Sequence, residues 1–368
     1  MILTVLFYAF VVFAGIQIIY YLAFTSFLFT DKKQKKKLVK EIPISVIICA
    51  KNEAENLQKF LPYIIEQNYS DFEIVLINDA SSDETLEIME AFQSQNSNIK
   101  IINVENIEAF WGNKKYALTL GIKAAKNEHL LFTDADCKPI SKNWIAEMSK
   151  NFSQEKSIIL GYGKYKKEKF LVNLFVRFET LLTAIQYFSY AKLGSPYMAV
   201  GRNLAYKKEE FFNVKGFINH MHIRSGDDDL FIKDAANKEN TIICTSKNSF
   251  TISKAPKSFK EWFRQKRRHI STANHYKLQH KFFLALFFIS KVLFFVLATA
   301  LFFFYPWEII LSIVLGYYLI QFLVIGFSAK KLKEPQIIFL LPFLEIGLLL
   351  FQFSIFITNL ISKPNHWK

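Results

Sequence analysis

His129-Leu130-Leu131-Phe132-Thr133-Asp134-Ala135-Asp136 is the stretch on which the reading of this chain turns. An unbroken apolar run of this length suits a strand covered on both faces of a parallel sheet. The run ends in two carboxylates one residue apart. Their mutual repulsion after a buried strand is costly unless a cation joins them. Hard divalent ions such as Mg²⁺ or Mn²⁺ favour carboxylate oxygens and keep phosphate oxygens as further ligands. The stretch therefore points to a metal held between the protein and a diphosphate.

Upstream, the same grammar repeats. Ile44-Ser45-Val46-Ile47-Ile48-Cys49 reads as a first strand, Glu73 to Ile77 as a second and Ile99 to Val104 as a third. Between them, Asn56 to Gln67, Thr85 to Phe92 and Lys114 to Ala125 carry helical spacing. Strand–helix alternation implies an α/β fold, a mostly parallel sheet wound with helices. Ligands of such sheets sit outside the carboxyl ends of the strands. Strand one ends in Lys51-Asn52-Glu53 and strand two in Asn78-Asp79-Ala80-Ser81-Ser82-Asp83, so acids gather where that rule points. Taken singly, Glu53, Ser82 and Asp83 are ordinary helix-start residues. Their convergence at corresponding strand ends favours a site.

The flanks have a different composition. The chain has 368 residues with a net charge of +14, and 51% are hydrophobic. Such a chain buries enough apolar surface to exclude disorder. Three widely spaced cysteines, Cys49, Cys137 and Cys244, exclude a disulfide scaffold and suit a reducing compartment. Residues Ile2 to Phe29 carry no charge, and as a helix they reach about 40 Å, enough to cross a bilayer. The absence of a basic start and of a small-residue cleavage site favours an anchor over a signal peptide. The lysine cluster at 32–37 marks a cytoplasmic exit. Three more spans are expected at about 282–304, 309–327 and 336–361, with Lys291 snorkelling or facing protein. The expected organisation is a transmembrane helix (1–30), a basic linker (31–42), a cytoplasmic α/β domain (43–275) and three transmembrane helices (276–368). Both termini are placed outside. Leu171 to Leu193 is expected as an amphipathic helix on the membrane surface, with ordinary core as the equal alternative. His129, His220, His222, His275, His280 and His366 show no ligand pattern and are read as surface groups. The positive charge sits beside the spans, so lipid is its simpler partner, not nucleic acid.

With these residues in view, the chain resembles a membrane-embedded family 2 glycosyltransferase with the GT-A fold, like processive and ceramide-glucosyltransferase-like members. Ser45-Val46-Ile47-Ile48 with Asn52-Glu53 resembles the family's opening strand and nucleotide loop. Asp79 matches the residue that, by resemblance, hydrogen-bonds the base of a nucleotide diphosphate sugar. Lys114, in Gly112-Asn113-Lys114-Lys115-Tyr116, resembles the lysine on the donor side. Asp134 and Asp136 match the metal and sugar-nucleotide motif. Gly226-Asp227-Asp228-Asp229-Leu230 resembles the segment bearing the catalytic base, which falls at Asp228. Three adjacent carboxylates raise one another's pKa values. Gln265-Lys266-Arg267-Arg268-His269 resembles the Q-x-x-R-W motif. Gln265 and Arg268 match, His269 stands where Trp is usual, and this group with Asp227 is expected on the acceptor and diphosphate side. Gly201-Arg202-Asn203 is expected near the acceptor.

The resemblance implies an inverting transfer from a nucleotide diphosphate sugar to a hydroxyl of a lipid or lipid-linked glycan, with Mg²⁺ or Mn²⁺, at a bacterial inner membrane. A processive polysaccharide synthase is the enzyme alternative. A non-catalytic membrane scaffold is the alternative of another class, which the intact acids at 79, 134, 136 and 228 disfavour. A small transporter is disfavoured by spans with few internal polar groups.

Overall fold

A computed structural model describes residues 1–29, 41–105, 114–223 and 225–362. The lysine cluster at 32–37, Gly112, Asn113, Lys363, His366 and Lys368 lie outside the described residues. Helix α1 (Ile2–Phe24) runs into a 3₁₀ turn ending at Phe29. There follow β1 (Ile44–Ala50), α2 (Ala54–Phe60), α3 (Pro62–Ile65), β2 (Phe72–Asp79), α4 (Thr85–Gln95), β3 (Ile99–Val104), α5 (Lys114–Ala124) and β4 (His129–Asp134). The helix expected over Asn56 to Gln67 is divided at Leu61. Pro62 has no N–H to donate back and its ring crowds the preceding turn, so it starts a new helix instead of continuing the old one.

The second half adds β5 (Cys137–Pro139), α6 (Trp144–Ser149), β6 (Ile158–Leu160), β7 (Gly163–Tyr165), α7 (Leu171–Lys192), β8 (Leu204–Lys207), α8 (Lys208–Asn213), α9 (Asp229–Ala235), β9 (Thr241–Ile243), β10 (Thr251–Ser253) and α10 (Phe259–Ala273). Three long helices close the chain: α11 (Leu278–Phe302), α12 (Trp307–Lys331) and α13 (Leu341–Ile361), the last preceded by a 3₁₀ turn over Pro335–Leu340.

Among the described residues the main sheet has the order β3-β2-β1-β4-β8-β6-β9. The first four strands are parallel, while β8 runs antiparallel to both β4 and β6. A smaller sheet, β5-β10-β7, closes the site side. Alternation sorts each strand's side chains into two cores. Val46, Ile48, Leu76 and Leu131 face one core, with Leu57, Met89 and Trp144. Ile47, Val75, Ile77 and Phe132 face the other, which runs without a break into the long helices through Phe188, Phe294 and Tyr317.

The joint between these parts is α7. Of the two readings of this segment, its packing supports ordinary core. Phe175, Phe178, Leu181, Ile185 and Phe188 are all buried, and it packs against α1, α12 and α13 on one side and β7 and β9 on the other. Its phenylalanines have partners all round, which is why its sequence shows so little polar face. Arg177 on α7, Lys164 on β7 and Glu334 after α12 form a buried ionic knot. Arg177 pairs with Glu334 and Lys164 lies 2.9 Å from it. Trp262 of α10 stacks on Phe351 of α13 at 3.8 Å.

Among the described residues, four helices are long and apolar enough to cross a membrane: Ile2–Phe29, Leu278–Phe302, Trp307–Lys331 and Pro335–Ile361. All four contribute to one buried polar cluster. Lys291 faces protein, with its Nζ 2.9 Å from Glu345 and 3.1 Å from the Tyr21 hydroxyl. Gln321 donates to Tyr21 at 2.7 Å and Tyr317 donates to Glu345 at 2.5 Å. Paired and hydrogen-bonded charges are the form in which ionisable groups persist inside a bilayer.

Glu334→Ala leaves Arg177, whose side chain is 2% exposed, without its carboxylate. The expected loss is about 3–5 kcal/mol. It would be read as a lowered thermal midpoint of the detergent-solubilised chain, and an unchanged midpoint would remove the knot from the stability of the joint.

Candidate active site

The strand order reverses between β1 and β4, and ligands of wound sheets bind in the crevice beyond such a point. The register sets Cys49 beside Asp134 and Ala50 beside Asn78, so three strand ends finish level. Asn52 follows with φ 55°, a left-handed conformation that asparagine tolerates. Its side-chain oxygen accepts from the Ser82 N–H at 2.8 Å, and its own N–H donates to the Ser81 hydroxyl at 3.0 Å. Asp83 is more than a helix-start residue. Its carboxylate accepts from Thr85 N–H at 3.1 Å and from Ala54 N–H at 3.3 Å, fastening two helix starts together. Asp79 is 8% exposed; burial raises its pKa against the pull of Lys51 and Lys114. Burial also raises Glu53, opposed by the Asn56 amide at 2.6 Å and reinforced by Asp136 and Asp134.

Lys114, at the start of α5, lies 3.1 Å from Asp134 and 3.1 Å from Asp227. Asp134, Asp136 and Cys137 present ligand atoms within 4.8 Å of one another. The Asp136 carboxyl is raised, first by burial and then by Asp134. Burial pushes the Cys137 thiol well up, and it donates to Asp136 at 3.2 Å. Two crowded carboxylates with a protonated thiol behind them fit a hard divalent ion on the oxygens. Arg202 backs this pair. Its guanidinium lies over the Tyr165 ring at 4.6 Å and donates to Gly163 O at 2.8 Å. A Cβ at position 163 would come within 2.3 Å of Arg202 Nε, so any larger residue there would have to displace the Arg202 side chain.

The three acids after Gly226 (φ 82°) differ in setting. For Asp227, burial works upward but Lys114 prevails, and the pKa is lowered. Asp228 accepts from Gly201 N–H at 2.7 Å and, capping α9, from Asp229 N–H at 2.8 Å. Burial, then Asp227, pushes it up to about 6. Asp229 accepts from Tyr276 at 2.8 Å and Thr272 at 3.2 Å; burial, then Asp228, raises it well above the carboxylate range. The expected mutual raising therefore holds for Asp228 and Asp229, and fails for Asp227 because of Lys114. Cys49, Lys114, Asp134, Gly201, Asp227 and Asp228 line one cavity.

Helix α10 closes the far side. Gln265 donates to the Tyr165 hydroxyl at 3.4 Å. Burial lowers Arg268, and the charges that oppose this are Tyr165 and Asp227. The pKa of His269 is held well below 6.5, first by desolvation and then by the charges of Lys266, Arg268, Arg202 and Lys114. Part of the positive charge beside the spans pairs with protein: Lys266 lies 2.5 Å from Glu179 and Arg267 donates to Asn359 at 2.8 Å.

Of the eleven residues singled out in the sequence, Lys114, Asp134, Asp227 and Asp228 line one cavity. Sequence reasoning missed the anchoring role of Lys115 and underrated Arg202. Lys115 is 1% exposed and donates to the His220 and Ile223 carbonyls, 2.8 Å each, pinning the loop that leads to Gly226. Burial lowers its pKa to about 8. Its place on the apolar stripe with Ala117, Leu118 and Ile122 was the available signal. The reading of every histidine outside the motif as a surface group is corrected for His220 and His280, which are buried.

The chain matches the glycosyl transferase family 2 model over residues 45–231, just over half of its length. It is 31% identical to the glycosyltransferase GlyG of Streptococcus pneumoniae over 122 residues, 33% of this chain and 38% of that protein. It is 34% identical to the cholesterol galactosyltransferase of Borreliella burgdorferi over 99 residues, 27% of this chain and 26% of that protein. The chain thus covers well under half of the length of these relatives. Among solved structures, the mannosyltransferase PcManGT of Pyrobaculum calidifontis, in complex with GDP-Man and Mn²⁺, has the same fold, with TM-score 0.59 and 14% identity over 92% of this chain and 97% of that one. Matched over residues 45–231, and with four helices among its described residues long and apolar enough to cross a membrane, the protein belongs to glycosyl transferase family 2.

Proposed function

We propose that the protein moves a sugar, with inversion, from a nucleotide diphosphate sugar to a hydroxyl of a lipid or lipid-linked glycan, using Asp228 as general base. The observation that carries this reading is the single cavity shared by Lys114, Asp134, Asp227 and Asp228 at the reversal of strand order. Asn52, Glu53 and Asp79 bind the nucleotide, and Lys114 contacts the donor. Asp134 and Asp136 hold Mg²⁺ or Mn²⁺, which when bound neutralises charge on the leaving diphosphate. Asp228 takes the proton of the acceptor hydroxyl. The oxygen bonds to the anomeric carbon as the bond to the diphosphate breaks, and the electron pair leaves with the nucleotide. Arg268, with its fixed guanidinium, faces the departing charge from α10, and Gln265 and His269 border the acceptor. PcManGT, solved with GDP-Man and Mn²⁺, supports a metal and a sugar nucleotide; the cholesterol galactosyltransferase supports a lipid acceptor. The catalytic unit is residues 43–275, facing the cytoplasm of a bacterial inner membrane, a side supported by the lysines at 32–37.

Asp228→Asn should lower kcat about 10²–10⁴-fold while nucleotide affinity, followed by calorimetry, stays near that of the native chain. Transfer at the native rate would take Asp228 out of the reaction. In Asp136→Ala, stimulation by added Mn²⁺ or Mg²⁺ should vanish together with turnover; a variant that remains active and metal-stimulated contradicts the metal role. Because the base acts ionised and its pKa is raised to about 6, kcat/KM should fall tenfold per pH unit below about 6 and level off above it. A flat profile between pH 5 and pH 7, on the order of the window that brackets this pKa, would exclude Asp228 as the titrating group.

A further inference from the structure

Tyr165 ends β7, is 7% exposed and stands in register with Ser253 of β10. Its hydroxyl accepts from two distant segments: Arg202 Nη1 donates at 3.2 Å and Gln265 Nε2 at 3.4 Å. We propose that Tyr165 is a positioning residue of the transfer reaction, which joins Arg202, behind the Asp134 and Asp136 pair, to α10 and so sets where Arg268 meets the leaving diphosphate. The proposal rests on the reading of Arg268 as the group that faces that charge.

Three observations carry it. The Arg202 end is firmly held. Its carbonyl accepts from the Thr133 hydroxyl at 3.1 Å and from the Thr251 hydroxyl at 3.0 Å, which fixes its backbone to β4, one residue before Asp134, and to β10. Its side chain lies over the Tyr165 ring at 4.6 Å, and its charge reaches Asp136. On the other side, Gln265 and Arg268 are three residues apart on α10, so they share a face and a hold on one orients the other. Arg268 stands near both Tyr165 and Asp227. Finally, the phenol completes the fastening of α10. Trp262 on Phe351 and Lys266 on Glu179 tie this helix to α13 and α7, and Thr272 ties its end to Asp229. The Tyr165 hydroxyl adds the link to the smaller sheet. A phenol oxygen has lone pairs for both donors at once, and phenylalanine has none. Tyr165 touches no reacting atom in this scheme; it acts through Arg202 and Arg268. Placement matters because a shift of about 1 Å in such a group can change a rate on the order of 10²-fold.

The test uses Tyr165→Phe, which removes one oxygen and keeps a ring over Arg202. The full chain in detergent is titrated by calorimetry with magnesium pyrophosphate, a probe with the charge of the leaving group and neither base nor sugar. In Tyr165→Phe the affinity should fall about tenfold, with the ligand-free thermal midpoint near that of the native chain. Arg268→Ala should also weaken binding, and adding Tyr165→Phe to it should weaken it no further, since the hydroxyl works through that arginine. A merely structural hydroxyl would not show this dependence: equal losses in both backgrounds, or a lowered midpoint with native affinity, would overturn the proposal. Native affinity in Tyr165→Phe beside a loss in Arg268→Ala would remove Tyr165 and keep the reading of Arg268. Native affinity in both single variants, or no binding by the native chain, would overturn that reading and the proposal with it.

Discussion

One ammonium group organises the site. Lys114 Nζ stands 3.1 Å from Asp134 at the end of β4 and 3.1 Å from Asp227 ahead of α9, segments about ninety residues apart in the chain. Without a cation between them, partly buried carboxylates from two directions would repel and the cavity would open or protonate. With it, Asp227 is held ionised while its neighbour Asp228 is driven the other way. The same contact that closes the recess therefore separates adjacent acids into a fixed anion and a group poised near neutrality. A proton acceptor is most useful with a pKa close to the working pH, and burial beside an ionised neighbour supplies that shift without any special residue.

The recess has a fixed relation to the long helices. The core on one face of the sheet continues through α7 into the bundle, so packed side chains connect β7 to α12. The knot of Arg177, Lys164 and Glu334 ties the same strand whose Tyr165 touches Arg202 and Gln265. Removing one member of such a buried set leaves an uncompensated charge, which is why knots of this kind hold geometry tightly. For a transfer in which the acceptor is proposed to reside in the membrane, that rigidity has a use. Packing through α7 would then help set the distance from bilayer to the proposed base.

Much of this was legible beforehand, for an identifiable reason. Strand register is dictated by hydrophobic runs, and β1, β2, β3 and β4 announce themselves because parallel strands are buried on both faces. The acids at 79, 134 and 136 were then placed by the rule for strand ends alone. Pro62 was visible yet not given its due, although its lost donor divides a helix. Helix α7 stayed undecided between membrane surface and core because a side chain's surroundings are not written in its own segment. Phe178 and Phe188 look alike whether lipid or protein covers them.

The sequence by itself determined the parallel sheet, the membrane-length helices and the edge at which acids collect, since each follows from local periodicity and from the reach of a strand or helix. Tertiary structure alone decided which acid meets which cation. Lys114 and Lys115 are neighbours in sequence, but α5 turns one towards Asp134 and Asp227 and buries the other on two carbonyls. Asp227, Asp228 and Asp229 are likewise consecutive and chemically identical, and they part only because Lys114, Gly201 and Tyr276 approach them from distant elements. Pairwise electrostatics at about 3 Å depends on contacts that the folded chain makes, and no local pattern encodes those.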